Sequence, residues 1–183
     1  MIGPWHREPG YRVATKSLAQ IRNAALAVRE ILKLTQPNID VVQLLENRLR
    51  RIGIHFHVVE RQRIPGEAAR AVPDEGTLYV TSESYERIYK GDPEFQLLIP
   101  HEIAHFALRH SSTFARTISP IAHTSFEDSE VQADRFSHEF TMPIHILKAN
   151  CKCVSDIQRI FNVTKMEAQI RRDQLLREQV IDW

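Results

Sequence analysis

The chain has few cysteines, no long apolar run and almost no net charge, and each absence excludes a class of protein. Two cysteines among 183 residues, Cys151 and Cys153, are too few for a disulfide scaffold and too close in sequence to bridge easily. No apolar stretch approaches the ~20 residues that span a bilayer. The first residues also lack the charged-then-apolar pattern of a signal peptide. We therefore expect a cytoplasmic protein that makes no contact with a membrane.

The formal net charge is only +1, so the overall charge does not indicate a nucleic-acid or membrane partner. The distribution of charge is uneven. Residues 1–63 carry 11 Lys and Arg against 5 Asp and Glu, whereas residues 64–143 carry 6 against 13. An acidic centre suits a cation site, although ordinary solvated faces explain the same distribution equally well.

The first half of the chain predicts two helices and a small sheet. Residues 1–16 have two prolines, two glycines and little periodicity, and indicate a flexible N-terminal arm. Apolar residues then recur at helical spacing to about residue 34, and Asp40 can cap a second helix. After Gly53 the period changes to two, with His55 and His57 on one face of a strand. A turn at residues 73–76 separates two further segments that can pair as a hairpin, residues 67–72 and 77–81.

The second half predicts mainly helices. Asp92-Pro93 starts a helix that runs to about His110, and Pro100 inside it is expected to kink it. Residues 111–125 suggest a polar loop, and further helices are expected at about residues 126–141, 155–161 and 165–180. We expect an α+β fold with a zincin-like mixed or antiparallel sheet of about three strands, packed on the helices. The expected organisation is an arm (1–16), one catalytic domain (17–143) and a helical extension packed on it (144–183).

The segment His101-Glu102-Ile103-Ala104-His105 is an HExxH pattern, which is typical of zinc peptidases. On a helix the two histidines lie one turn apart on the same face, so both imidazoles reach one metal ion. Glu102 is rotated by about 100° from His101, beside the metal, where it can accept a proton from water. The pattern arises by chance roughly 0.04 times in a chain of this composition, so it needs support from its surroundings.

Glu130 and Asp134 give that support, because they lie at positions i and i+4 of the next predicted helix. Glu130 is the expected third zinc ligand, and three protein ligands leave a fourth position for water, as in catalytic zinc sites. Asp134 is expected to hydrogen-bond the far nitrogen of a ligand histidine. His110, His123, His138 and Asp134 remain alternative third ligands. A more ordinary interpretation makes His101 and His105 core histidines and the two carboxylates an exposed acidic face.

Other features give weaker signals. His55 and His57, or Cys151 and Cys153 with His145, could bind a metal, although solvated histidines and free thiols are simpler interpretations. Residues 154–176 have the helix, turn and helix outline of a DNA reader, but their apolar residues form a seam suited to packing on the main body. Direct DNA binding is therefore not expected.

The chain resembles the ImmA/IrrE family of bacterial and phage metallopeptidases. The resemblance rests on three blocks in order: the HExxH segment, then Glu130-x-x-Ala133-Asp134-x-Phe136, then Met142-Pro143. It extends more loosely over about residues 17–180. The chain departs from the family pattern at Gln132, where a second acidic residue is common, at Ser137 in place of alanine, and at Ile99-Pro100 before the first histidine.

The resemblance implies a gluzincin-like zinc peptidase in which Glu130 is the third ligand. It also implies that the substrate is a helix-turn-helix repressor-type regulator of a prophage, mobile element or stress response, supplied by a separate protein encoded nearby. Tyr79, Tyr85, His123 and His138 are candidate donors to the transition state, and an edge strand at 67–72 or 77–81 is expected to hold extended substrate. The alternative function is a non-catalytic, zinc-stabilised antirepressor or antitoxin-like binding protein.

Overall fold

A computed structural model of the protein describes residues 10–110 and 127–183. Within these two ranges the chain forms eight α-helices and one three-stranded sheet, which confirms the predicted α+β class. The helices are α1 Leu18–Ile31, α2 Val41–Gln43, α3 Ser82–Tyr89, α4 Leu98–Ala107, α5 Ser129–Thr141, α6 Ile144–Asn150, α7 Val154–Phe161 and α8 Lys165–Arg177. The strands are β1 His55–Val59, β2 Ala69–Val72 and β3 Thr77–Thr81.

The sheet is mixed, with strand order β1-β3-β2. β1 pairs with β3 in parallel, and β2 pairs with β3 in antiparallel orientation. Leu78 and Val80 point into the core, and the intervening Tyr79 points to the opposite face because side chains alternate along a strand. β3 lies in the centre of the sheet and has no free backbone edge. Of the two segments predicted to supply an edge strand, residues 67–72 and 77–81, the first supplies it, as β2.

The first two helices begin where the sequence predicts. Ser17 and Gln20 form a reciprocal capping box at the start of α1, and the Asp40 side chain caps α2. α2 continues through a π-helical turn at Leu44–Arg48 and a 3₁₀ turn at Leu49–Ile52. Gly53 then adopts a left-handed conformation with φ of 76°, which glycine accommodates without strain, and the chain enters β1.

The predicted helix from Asp92 to His110 is in fact two elements, a 3₁₀ turn at Pro93–Phe95 and then α4. Pro100 therefore lies in the first turn of α4 rather than in the interior of a helix. The first N–H groups of any helix have no helical partner, so a proline there loses no hydrogen bond. The expected kink at Pro100 was wrong for this reason.

The elements after residue 126 follow the predicted outline with one addition. α5 is capped by Asp128 and ends before Met142-Pro143, and α7 and α8 flank the turn at residues 162–164. α6 was not predicted, because its seven residues are too few to show a clear period. Within the described ranges, no helix is both long enough and apolar enough to cross a membrane.

The core has two parts. The larger one joins α1, α2, the sheet, α4 and α5. The smaller one joins the helices after Pro143 to Leu97 and Met142. A buried ion pair also links the parts, since Arg171 of α8 donates to Glu139 of α5 at 2.8 Å, with both side chains almost fully buried. The C-terminal helices are therefore attached to the helix that carries Glu130.

Residues 10–14, called the N-terminal segment below, belong to the sequence predicted as an arm. The structure shows them tied to the start of α5. The N–H of Val13 donates to the carbonyl of Glu127, and the N–H of Ser129 donates to the carbonyl of Tyr11. Arg12 also pairs with Glu127 at 2.7 Å. The N-terminal segment thus contacts the turn from which Glu130 projects.

Candidate metal centre

α4 carries both HExxH histidines into the interior. Every residue from Leu98 to His105 is buried, as expected of a helix that is surrounded by other elements. Ile99 and Ile103 anchor the helix in the larger core, and each is fully inaccessible to solvent. The rings of His101 and His105 lie 5.3 Å apart, on the same face of the helix.

α5 brings Glu130 to the two histidines. Its Oε2 lies 3.1 Å from Nε2 of His101, and its Oε1 lies 3.6 Å from Nε2 of His105. One ligand atom from each of the three residues lies within 4.8 Å of the others. Ligand atoms about 2.0–2.2 Å from a tetrahedral zinc ion stand about 3.4 Å apart, so the donor set and its spacing fit zinc. Glu130 is in the first turn of α5, where the helix dipole favours a carboxylate.

The Nδ1 atoms of both histidines are held by other side chains. Asp134 Oδ1 lies 2.8 Å from Nδ1 of His101, as predicted for a carboxylate one helical turn after Glu130. Nδ1 of His105 lies 3.1 Å from Nδ1 of His110. These contacts leave the Nε2 atoms directed at Glu130. His110, an alternative third ligand in the sequence, is therefore a neighbour behind His105.

His110 and Tyr11 adjoin the centre and have shifted pKa values. Burial, together with the nearby His105, lowers the pKa of His110 to about 4, so the ring is neutral at physiological pH. Burial raises the pKa of Tyr11 to about 12, with a contribution from Glu130. The Tyr11 hydroxyl donates to the carbonyl of His110 at 3.0 Å. Both groups therefore stay uncharged beside the three ligands.

Glu102 is only 1% exposed, and β2 holds its carboxylate. The backbone N–H of Ala71 donates to Oε2 of Glu102 at 2.7 Å. This N–H points away from β3, and the alternation of an antiparallel pair turns the backbone of Ala69 the same way. The free edge of β2 thus faces α4 and fixes the residue that the HExxH pattern predicts as the proton carrier.

A cleft of about 880 Å³ runs along this edge. Its lining includes three residues of the candidate site, Glu102, His105 and Glu130. It is also lined by residues 66–71 and by Arg61, Glu83 and Arg87. Its walls are formed in part by the N-terminal segment, through Gly10 and Tyr11. Two of the three candidate ligands, His105 and Glu130, therefore line a space large enough for an extended peptide.

Among the residues that the structure describes, three predicted transition-state donors, Tyr79, Tyr85 and His138, contact other groups. Tyr79 lies on the outer face of the sheet, 6.0 Å from the ring of His57. Tyr85 donates to Glu46 at 2.5 Å. His138 faces the C-terminal helices, where its Nε2 lies 2.8 Å from Glu167 and its Nδ1 accepts from Gln174. His123 lies outside the described residues.

The weaker candidate metal sites are not brought together either. In residues 10–110 and 127–183, the ligand triad of His101, His105 and Glu130 is the group of three close ligand atoms that the structure forms. Cys151 is buried, whereas Cys153 is exposed, so the two thiols face different environments. His55 is exposed at the start of β1.

Sequence reasoning missed the partners that come from distant parts of the chain. Ala71 contributes only a backbone N–H, which no side-chain pattern reveals. Tyr11 and Ala14 lie in a segment with no periodicity. Gln132 was noted only as a departure from a family pattern, yet its amide contacts His110. Comparisons with protein-family models, with curated proteins and with solved structures find no match for this chain.

Proposed function

We propose that this protein is a zinc-dependent endopeptidase with His101, His105 and Glu130 as the zinc ligands. The observation that carries the proposal is the convergence of these three side chains, two of which line the same cleft as Glu102. A zinc ion at such a site supplies a water molecule of lowered pKa and polarises a carbonyl group. This chemistry accounts for a buried HExxH helix that faces a cleft.

In this proposal Glu102 carries the proton of the reaction. Its carboxylate accepts a proton from the attacking water and delivers it to the amide nitrogen that leaves. The hydrogen bond from Ala71 holds the carboxylate in one orientation, which reduces the cost of reaching the reactive geometry. A side chain that is 1% exposed also exchanges protons with bulk solvent less readily than an exposed one.

β2 supports an extended peptide as the substrate. Ala69 and Ala71 line the cleft and turn their backbone groups away from β3. A peptide that pairs with the backbone groups of Ala69 and with the carbonyl of Ala71 would extend the sheet by one strand, a common mode of peptide recognition. The N–H of Ala71 already donates to Glu102, so such a peptide would lie next to this carboxylate.

The family resemblance adds the nature of the substrate to this proposal. We propose a zincin-like fold and a helix-turn-helix repressor-type regulatory protein as the substrate, from a prophage, mobile element or stress response. The charged cleft wall suits a polypeptide that carries both signs of charge, since Arg61 pairs with Glu83 and Arg70 pairs with Glu67 along it.

Replacing Glu102 by Gln tests the proposal, because it removes the proton carrier and keeps the shape. Purified, zinc-loaded protein is incubated with a proteome-derived peptide library, and new termini are counted by mass spectrometry. We expect cleavage to fall by about 10²–10⁴-fold, with zinc content by elemental analysis unchanged. Glu30→Gln, an exposed position on α1, serves as the matched control and is expected to cleave normally.

Two results would contradict the proposal. Undiminished cleavage in Glu102→Gln would remove Glu102 from the mechanism. Absence of cleavage by the zinc-loaded wild-type protein, on the library and on the repressor encoded beside it, would favour the alternative of a zinc-stabilised binding protein.

A further inference from the structure

A chain of three hydrogen bonds leads from a proposed zinc ligand to the N-terminal segment. His105 Nδ1 lies 3.1 Å from His110 Nδ1, and His110 Nε2 lies 3.1 Å from Oε1 of Gln132. The side-chain nitrogen of Gln132 donates to the carbonyl of Ala14 at 3.0 Å. The rings of His105 and His110 meet edge to face, with centroids 5.1 Å apart. This series of hydrogen bonds thus runs from the end of α4 to α5 and then to the N-terminal segment.

The direction of every bond follows from the carbonyl of Ala14, because a carbonyl only accepts. The amide nitrogen of Gln132 must face this carbonyl, so the amide oxygen faces His110. That oxygen also only accepts, so Nε2 of His110 carries a proton and donates. A neutral ring with its proton on Nε2 has an acceptor at Nδ1, so His105 donates from its own Nδ1.

We propose that His110, Gln132 and the backbone carbonyl of Ala14 act as positioning groups that fix the proton of His105 on Nδ1, so that its Nε2 is unprotonated and can bind the metal. This inference rests on the proposed zinc site and explains how the tautomer of one of its ligands, His105, is fixed. The neutral histidine side chain in water prefers to carry its proton on Nε2, which would block that nitrogen. The hydrogen-bond chain reverses this preference before any metal arrives.

The Nδ1 protons of the two proposed ligand histidines are accepted by different groups, and burial explains the difference. His101 donates to Asp134, a carboxylate whose side chain is 67% exposed and therefore well solvated. His110 is 1% exposed and Gln132 is 1% exposed, so a carboxylate at either place would be costly without a cation beside it. A neutral histidine and a neutral amide provide the same polarity without a buried charge.

The N-terminal segment contacts this series of hydrogen bonds at two points. Ala14 accepts from Gln132, and the Tyr11 hydroxyl donates to the backbone carbonyl of His110. Tyr11 is fixed in turn by bonds from its N–H to the Ser129 hydroxyl and from the Ser129 N–H to its carbonyl. The tautomer of His105 therefore depends on residues more than 90 positions away in sequence.

The direct test is the tautomer of each histidine in the metal-free wild-type protein, measured by two-bond ¹H–¹⁵N correlation NMR with uniform ¹⁵N labelling. We expect His105 to carry its proton on Nδ1 and His110 to carry its proton on Nε2. Assignment uses the variants His105→Gln and His110→Gln. A proton on Nε2 of His105 would overturn the inference, and so would a proton on Nδ1 of His110.

One substitution at Gln132 tests the effect on metal binding. Gln132→Met removes the acceptor, and we expect it to weaken zinc affinity by about 10–100-fold in competition with a chromophoric chelator. Gln174→Met is the matched control. It removes the amide partner of another buried histidine, His138, which lies on α5 as Gln132 does. The control should bind zinc like the wild type.

These readouts separate the inference from the proposed function. Unchanged zinc affinity and an unchanged His105 tautomer in Gln132→Met would overturn the inference and leave the peptidase proposal standing. Loss of cleavage with the expected tautomers in place would instead count against the peptidase proposal alone.

Discussion

At the scale of single residues, Gly10 shows how little space surrounds Glu130, the proposed third ligand. A Cβ atom added at Gly10 would lie 2.5 Å from Oδ1 of Asp128, 2.5 Å from the hydroxyl oxygen of Ser129 and 2.6 Å from the backbone nitrogen of Glu130. Such distances are far below van der Waals contact, and one of the three atoms is backbone. The N-terminal segment approaches the start of α5 this closely only because residue 10 has no side chain.

We predict that Gly10→Ala destabilises the fold by about 1–3 kcal/mol, the usual cost of overpacking, and also weakens zinc binding. The added methyl must displace either the N-terminal segment or the first turn of α5, from which Glu130 projects. Urea unfolding and chelator competition measure the two effects.

Gly91→Ala is the matched control for Gly10→Ala. Gly91 has φ of 70° with nothing near its Cβ position, so alanine there costs about 1–2 kcal/mol through the backbone alone. We expect its zinc affinity to equal that of the wild type. Equal zinc affinities in the two alanine variants would show that the contact at Gly10 does not position Glu130.

At the scale of elements, α5 connects the metal centre to the C-terminal helices. Its first turns carry Glu130 and Asp134, and its last turns carry Glu139. Burial would raise the pKa of Glu139, but hydrogen bonds from Arg22 and Arg171 outweigh it, and the pKa is lowered. Arg22 comes from α1 and Arg171 from α8, so this carboxylate joins three helices.

The lowered pKa sets the pH dependence that we predict for Glu139→Gln. Below about pH 4.5 the unfolded chain binds more protons at this residue than the folded chain, so the contribution of Glu139 to stability is present above that pH and is lost as the pH falls through its folded-state pKa. We expect the variant to be less stable than the wild type by about 3–5 kcal/mol at pH 7. The difference should shrink as the pH falls from 5 toward 4.

Urea unfolding of both proteins between pH 4 and pH 7 measures this difference, with Glu30→Gln as the exposed control. A difference in unfolding free energy that stays constant over the whole range would contradict the role of the ionised carboxylate between Arg22 and Arg171.

The sequence correctly predicts those helices and strands that are marked by a nearby capping residue or by a change in hydrophobic period. The capping residues Ser17 and Asp40 mark the first two helices, and the change to a period of two after Gly53 marks β1. Pro100 misled the prediction because a proline in a first turn and a proline in a helix interior look alike when the start of the helix is misplaced. The start at Leu98 has no capping side chain to reveal it.

At the scale of the whole molecule, part of the candidate metal centre can be predicted from the sequence and part of it cannot. The HExxH spacing places His101, Glu102 and His105 because the helical repeat is local. The contact between Asp134 and His101 follows once two helices are known to face each other. The contacts of Ala71 with Glu102 and of Ala14 with Gln132 span 31 and 118 positions, and one partner in each is a backbone group. Only the folded chain brings such groups together, because a backbone amide or carbonyl has no sequence signature.

Crystals of the protein grown with saturating zinc show whether His101, His105 and Glu130 bind one metal ion, through an anomalous difference map recorded at the zinc absorption edge. We predict one strong peak about 2.0–2.2 Å from Nε2 of His101, Nε2 of His105 and a carboxylate oxygen of Glu130. A peak bound elsewhere, or no peak among these three side chains, would contradict it.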